Sequence, residues 1–463
     1  MEDRLIVVSS DSHAGIPRER WEEYLPAEFH DLLPSLRRDN VIYPTAMALL
    51  QTKAGARGLP EIQEVHEQDW HGLHDATIRL VDMDREGIAA ELIFEGDSRL
   101  GDLFHNVPGR AYSRAAWEAG ARAWNRWAAD EFGFAMERFL VTGAIGPCED
   151  MDATVAELHW MADHDFTAVY GPGYMRHSDM PPLFDRYWDP FWAACEERNL
   201  PLVVHAGFGT EHGAVFPVVE RIYDTVVESA GTTDRDTLLA NAQAVPDDAI
   251  QFFHDWVTHN VDSRRPMWQL MLGGVFDRFP GLRLLLTEIR LDWIPATLAH
   301  LDRVFEDHRA QLPAQRRPSE YWATNCLAGA SFIHKVEAEM RHEIGVEQIL
   351  FGRDFPHPEG TWPNTRDWLR LAFEGVPADD ARLMLGENAI RFFGLDRQRL
   401  AEIAKRIGPD LDEVIHGTWD VRPELFENFE NRGGYSKPAE GDAKLPLVAA
   451  MIDKDLAVVA GTT

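Results

Sequence analysis

The sequence predicts a (β/α)8 TIM barrel, and three features predict it. Short apolar runs alternate with amphipathic helical stretches, the alternation repeats eight times in about 390 residues, and several runs end in ligand-type side chains.

Taken in order, Leu5-Ile6-Val7-Val8 opens a strand over about residues 5–11. Side chains alternate along a strand, so Asp11 and His13 share a face, as two ligands of one metal must. Asp, Ser and Gly also build turns, which is the plainer reading of the same stretch. Residues 14–75 read as an insertion broken by Pro17, Pro26, Pro34, Pro44 and Pro60, with short helices and the role of a lid or interface arm. His66, Asp69, His71 and His74 cluster there and read as structural. A helix over Ala76 to Arg85 follows, with Ile78, Val81, Asp82 and Met83 expected near its buried side.

Strand two is Ala89 to Phe94, ending in Glu95-Gly96-Asp97. The helix Ala111 to Ala129 carries Tyr112, Trp117, Trp124 and Trp127 at helical spacing, a core stripe. Strand three (Phe139 to Ala144), a helix (Met151 to Asp163), strand four (Ala168 to Tyr170) and a helix (Phe184 to Arg198) continue the alternation. Strand five lies in Pro201 to Gly207, where His205 ends a buried run. A second irregular insertion, 208–248, contains His212. A long helix over about Ile250 to Phe279 carries Asp255 and His259 on one face, read as solvated surface.

Strand six, Leu282 to Leu286, leads to Glu288 and Arg290. A glutamate at the tip of so apolar a strand is costly unless paired or metal-bound. A helix (Trp293 to His308), a weak strand seven (Thr324 to Gly329) and a helix through Ile344 follow. Strand eight, Ile349 to Phe351, delivers Asp354 and His357, and Pro356 and Pro358 end the ladder. Helices near Thr365 to Phe373 and Asp379 to Phe393 close the barrel unit, 1–395. Residues 396–463 read as a C-terminal extension packing on the barrel or on a partner.

Composition bounds the function. The 463 residues carry a formal charge of −32, which argues against nucleic-acid backbones and anionic lipid. No run reaches membrane-spanning length and the N-terminus has no signal pattern, so the expected location is the cytoplasm. Cys148, Cys195 and Cys326 are too dispersed for a disulfide framework or zinc ribbon, and read as buried thiols.

Asp11, His13, His205, Glu288 and Asp354 all fall at C-terminal strand ends, so they converge on one barrel mouth. With Phe351-Gly352-Arg353-Asp354-Phe355-Pro356-His357 and Gly273-Gly274-Val275-Phe276-Asp277-Arg278-Phe279-Pro280, the pattern resembles the metal-dependent amidohydrolase superfamily. Within it, the pattern is most similar to the amidohydrolase-related branch containing aminocarboxymuconate semialdehyde decarboxylase, over about residues 5–395. Asp11 stands where many members have His, Glu288 where the decarboxylases have a proton-handling His, and Arg353 where Ser is usual.

The resemblance implies a divalent metal held by Asp11, His13, His205, Glu288 and Asp354. Zinc is the expected ion, with iron or manganese, singly or as a dinuclear pair, the alternative. The first expectation is a hydrolase acting on a small-molecule amide, ester or related bond through metal-activated water. Asp354 would be its general base, Glu288 a ligand or second proton-transfer group, and His357 and Arg290 the groups that polarise or anchor substrate. Tyr174, Phe208 and Trp362 are expected to wall the pocket. The alternatives are nonoxidative decarboxylation, and a dinuclear Fe/Mn oxygenase with a partner subunit and Glu95, Asp97 or His105 as extra ligands. A homodimer is expected, or a hetero-oligomer with a paralogous subunit.

Overall fold

Eight short strands close on themselves: β1 (Val8–Ser9), β2 (Ala90–Glu95), β3 (Phe139–Gly143), β4 (Ala168–Tyr170), β5 (Leu202–Val204), β6 (Leu284–Thr287), β7 (Cys326–Ala330) and β8 (Ile349–Phe351). Each pairs in parallel with its sequence neighbours, and β1 pairs both with β2 (Val8 beside Ala90) and with β8 (Ser9 beside Phe351), which closes the barrel. This computed structural model describes residues 4–54, 70–96, 112–177, 179–211, 214–250, 252, 261–330, 332–357, 360–432, 439 and 443–461. His66, Asp69, Asp97, His105, His212, Asp255 and His259 lie outside the described residues.

The strands are buried throughout, which is why they read as unbroken apolar runs rather than alternating ones. Strand one is shorter than its apolar run. The regular strand ends at Ser9, whose Oγ donates to the Asp11 carbonyl at 2.8 Å, and a two-residue strand resumes at His13–Ala14. Trp117, Trp124 and Trp127 of the helix Arg114–Phe132 lie in the core, as their spacing predicts.

Three expectations are corrected. The helix Ala76–Glu86 turns Ile78 and Val81 outward (40% and 71% exposed) and buries Ala76, Arg79, Met83 and Glu86. Hydropathy misplaces the face because Arg79 and Glu86 find partners inside. Among the described residues from 261 on, the helix expected over Ile250 to Phe279 is divided into the short helices Arg265–Leu272 and Val275–Arg278, separated by Gly274 at φ 62. Third, the insertions are more helical than their prolines suggest. Leu33–Ala54 runs 22 residues through Pro44, and Phe216–Ala230 is a 15-residue helix. They pack together in a second core, in which Ile42, Tyr43, Ala46 and Leu49 meet Phe216, Val219, Ile222 and Val226. Packing outweighs the hydrogen bond lost at Pro44.

The residues after 395 add the helices Arg397–Ile407, Leu411–His416, Pro423–Arg432 and Leu445–Val459. The last is held by Asp455, which accepts from Arg265 Nη2 and Nε (2.6 and 2.9 Å) and from Trp268 Nε1 (2.8 Å). The Gly273 to Pro280 phrase is also an anchoring device. Arg278 donates to Asp189 at 2.8 Å, and Asp277 accepts from the Gln315 amide at 3.0 Å.

Glu86 gives a pH prediction. Burial, then the neighbouring Asp82, pushes its carboxyl up to about 7, against the Thr365 amide that donates to it at 2.9 Å. Below about pH 4.5 both folded and unfolded chains hold this proton. As pH rises toward 7 only the folded chain keeps it, so stability falls over that window and then levels. Glu86→Gln is expected to remove up to about 3 kcal/mol of that decline, checked by denaturant unfolding at acidic and neutral pH.

Candidate metal centre

The site is assembled by backbone bonds that lace the exit of β1 to the exit of β8. Ser10 N donates to Phe351 O (2.7 Å), Asp354 N to Asp11 O (3.1 Å) and His13 N to Phe355 O (2.6 Å). Two non-glycine residues in the left-handed region turn the chain at strand ends, Glu288 just after β6 and Asp354 after β8, both at φ 54. Such backbone is costly, on the order of 1–3 kcal/mol each, and concentrates at functional sites. Gly360 is required by closeness alone: a Cβ there would meet the carbonyl oxygens of Arg353 and Asp354 at 2.5 and 2.7 Å.

The geometry brings Asp11, His13 and His205 together, with donor atoms within 4.8 Å of one another, and equally His13, Asp354 and His357. His205 Nε2 lies 3.4 Å from Asp11 Oδ1, and His13 Nε2 lies 3.4 Å from Asp354 Oδ1 and 3.7 Å from Asp11 Oδ1. His357 Nδ1 stands 2.7 Å from Asp354 Oδ1. Glu288 belongs to neither group: its Oε2 sits 3.2 Å from His205 Nδ1, on the opposite side of the ring from Asp11. Glu95, although buried, is in neither group as well. Arg290 pairs with Asp292 at 3.2 Å, and His74 Nδ1 meets the Gly15 carbonyl at 2.6 Å.

The electrostatics suit a cation. Burial, then Asp354, holds the Asp11 carboxyl above its ordinary range. Burial, then Asp354 and Asp11, raises Glu288 well above its own, against the pull of His205. Burial lowers His205, but Glu288 and Asp11 outweigh it and push the imidazole up to about 9. Neither carboxylate oxygen of Asp11 nor His205 Nε2 has a hydrogen-bond partner among the described residues. Buried acceptors in that condition are costly unless something cationic meets them. Mixed carboxylate and imidazole donors fit a divalent ion of hard to borderline character, such as manganese.

Aromatic rings wall the donors on one side. Phe94 lies 4.8 Å from the His205 ring and 5.5 Å from Tyr170, and Tyr170 lies 5.1 Å from Tyr174. A small recess of about 10 Å³ opens beside them between Trp117, Tyr170 and Tyr174. Tyr174 and Phe208 thus stand near the site (ring centroids 6.5 Å apart). Trp362 does not: its Nε1 donates to Asp82 at 2.7 Å and its ring packs on Phe355. Phe94 and Tyr170 escaped the sequence reading, although each lies at or next to the end of its strand, as His205 does.

A family profile described as Amidohydrolase matches residues 44–395. The chain belongs to the amidohydrolase family. Its relatives include the γ-resorcylate decarboxylase of Rhodococcus jostii (strain RHA1), 27% identical over 291 residues, which span 60% of this chain and 77% of that protein. The γ-resorcylate decarboxylase of Polaromonas sp. (strain JS666) is 24% identical over 352 residues, 72% of this chain and 93% of that one. Among solved structures, the 5-carboxyvanillate decarboxylase of Novosphingobium aromaticivorans, with bound manganese, superposes with a TM-score of 0.53. It is 16% identical, over 84% of this chain and 97% of that one, which shows the shared fold. This chain is thus an amidohydrolase-family enzyme whose relatives include decarboxylases, and no helix among its described residues is long and apolar enough to cross a membrane.

Proposed function

We propose that this chain is a metal-dependent, nonoxidative decarboxylase of a hydroxylated aromatic acid. The observation that carries the reading is the set of aromatic rings packed directly against the donor cluster, Phe94 on His205 and Tyr170 on Phe94, surroundings that suit an aromatic acid whose carboxylate would meet the metal site. The γ-resorcylate decarboxylase relatives support it, and on that ground it replaces the hydrolysis first expected.

Asp11, His13 and His205 would hold the ion, with Asp354 at its edge, and manganese replaces zinc as the expected metal. A bound divalent ion would anchor the substrate carboxylate and adjacent hydroxyl and stabilise charge there. Asp354 carries the proton to the ring carbon that bears the carboxylate. The C–C bond then breaks, its electron pair returns to the ring, and carbon dioxide leaves. His357, 2.7 Å from Asp354, relays the replacement proton. Glu288, in place of the decarboxylases' usual His, orients His205 from its Nδ1 side, as outer carboxylates do for metal-bound imidazoles.

The test is a panel of hydroxybenzoates, 2,6-dihydroxybenzoate among them, with 5-carboxyvanillate, supplied to the Mn²⁺-loaded chain. Carbon dioxide release without oxygen uptake, and one deuterium at the vacated ring carbon in D₂O, is the expected result. Turnover of amides, esters or lactones with every aromatic acid untouched would overturn it.

A further inference from the structure

The strand-eight phrase places Arg353 directly before Asp354, and that side chain is fully buried. Its Nε donates to Glu91 Oε2 and its Nη1 to Asp82 Oδ2, both at 2.7 Å. Glu91 also takes a short bond from Arg79 Nε, and Arg79 Nη1 donates to the carbonyl of His13 at 2.6 Å. The array Asp82–Arg353–Glu91–Arg79 therefore starts one residue before Asp354 and ends on the backbone of His13. It carries two charges of each sign, and only Asp82 is reached by solvent.

Phe355 locks the array from the site side. The guanidinium carbons of Arg79 and Arg353 lie 4.6 and 4.8 Å from its ring centroid. Neither Nη2 has a hydrogen-bond acceptor among the described residues, so the ring is what those cationic ends meet. The Arg353 peptide is pinned as well. Its N–H donates to Ser9 Oγ at 2.9 Å, the same hydroxyl that holds the Asp11 carbonyl, and its own carbonyl accepts from the Thr361 amide at 3.0 Å. Arg353 is thus tied through the Ser9 hydroxyl and through Glu91 and Arg79 to the strand that carries Asp11 and His13, and by the Thr361 amide to the loop after Asp354.

We propose that Arg353 is a positioning residue. Through Glu91 and Arg79 it fixes the distance between the strand end that carries Asp11 and His13 and the strained turn that carries Asp354. This inference rests on the proposed metal site for its consequence, though not for its geometry. A shorter side chain at 353 could not reach Glu91 or Asp82, and the turn so held keeps Asp354 at φ 54.

The experiment compares Arg353→Met, Arg353→Lys and, as a remote control, Asp455→Asn in the full chain. Hydrogen exchange without added metal is read at 8–15 and 349–357, which contain the His13–Phe355 and Asp354–Asp11 bonds. Mn²⁺ affinity is then read by chelator competition. Arg353→Met is expected to speed exchange about tenfold or more in those two segments while the other strands keep their protection. It should also weaken Mn²⁺ binding about ten- to a hundredfold. Arg353→Lys should recover part of both, since lysine keeps the charge but not the fork. Asp455→Asn should loosen its own helix and leave both segments and the affinity unchanged.

Wild-type exchange in both segments of Arg353→Met would overturn the proposal. A wild-type chain that takes up no Mn²⁺ would overturn the metal reading alone, and exchange would still decide on the array. Should Arg353→Met fail to fold, Asp82→Asn, which weakens one of the two acceptors of Arg353, is read in the same way.

Discussion

His205→Ala is expected to strip the divalent ion and abolish decarboxylation. His205 supplies Nε2 toward Asp11 from the end of β5, and no other imidazole among the described residues stands on that side of the cluster. Changes one shell further out typically lower metal affinity about 10–100-fold, so losing this donor should cost more than about a hundredfold. Elemental analysis after dialysis reads the metal, and carbon dioxide release reads the activity. Alanine also leaves Asp11 and Glu288 without the imidazole between them, so the two carboxylates repel across a cavity. A folded His205→Ala chain with wild-type metal content would remove His205 from the ligand set.

Asp354→Asn separates binding from chemistry. The amide has nearly the same shape and keeps the Asp354 N to Asp11 O bond, but it cannot hand over a proton at its Oδ atom. Loss of a positioned acid or base costs about 10²–10⁴ in rate, and kcat should fall by that much with a smaller change in KM. The metal content of the same preparation must match that of the wild type for the comparison to be read. A variant within tenfold of wild type would mean that the proton comes from elsewhere, and His357 would be the next residue to change.

The barrel was legible because a buried parallel strand leaves a local mark, an unbroken apolar run followed by a helical period. His205 and Asp354 were legible for the same reason: each interrupts such a run at its C-terminal end. Glu288 was legible as an anomaly, and the structure sets it 3.2 Å from His205 Nδ1. Whether a carboxylate at a strand tip faces a metal or the far side of a histidine depends on where β5 and β6 put their side chains, which one strand's sequence does not state. Arg79 and Glu86 were hidden because buried charges look like surface until their partners are known, and those partners lie 12 residues away in Glu91 and 279 away in Thr365. The insertions were misread for a related reason. Their prolines are a local signal, whereas the apolar face that overrides them is completed by a segment from the other side of the barrel.

That shared face limits how the enzyme's substrate range can be reshaped. Leu33–Ala54 and Phe216–Ala230 leave the barrel after different strands, yet neither has a hydrophobic interior without the other. Lys53 also ties the first segment to the end of the second insertion by donating to Asp247 at 2.6 Å, and Tyr43 adds a smaller contribution to the burial, Glu288 and Glu95 that hold the Tyr174 hydroxyl well above its ordinary range. Transplanting one segment from a relative with another specificity would expose half of a core and disturb the recess together. A chimera has to exchange both segments as a matched set, and a library that randomises only one will return chiefly misfolded proteins rather than new activities.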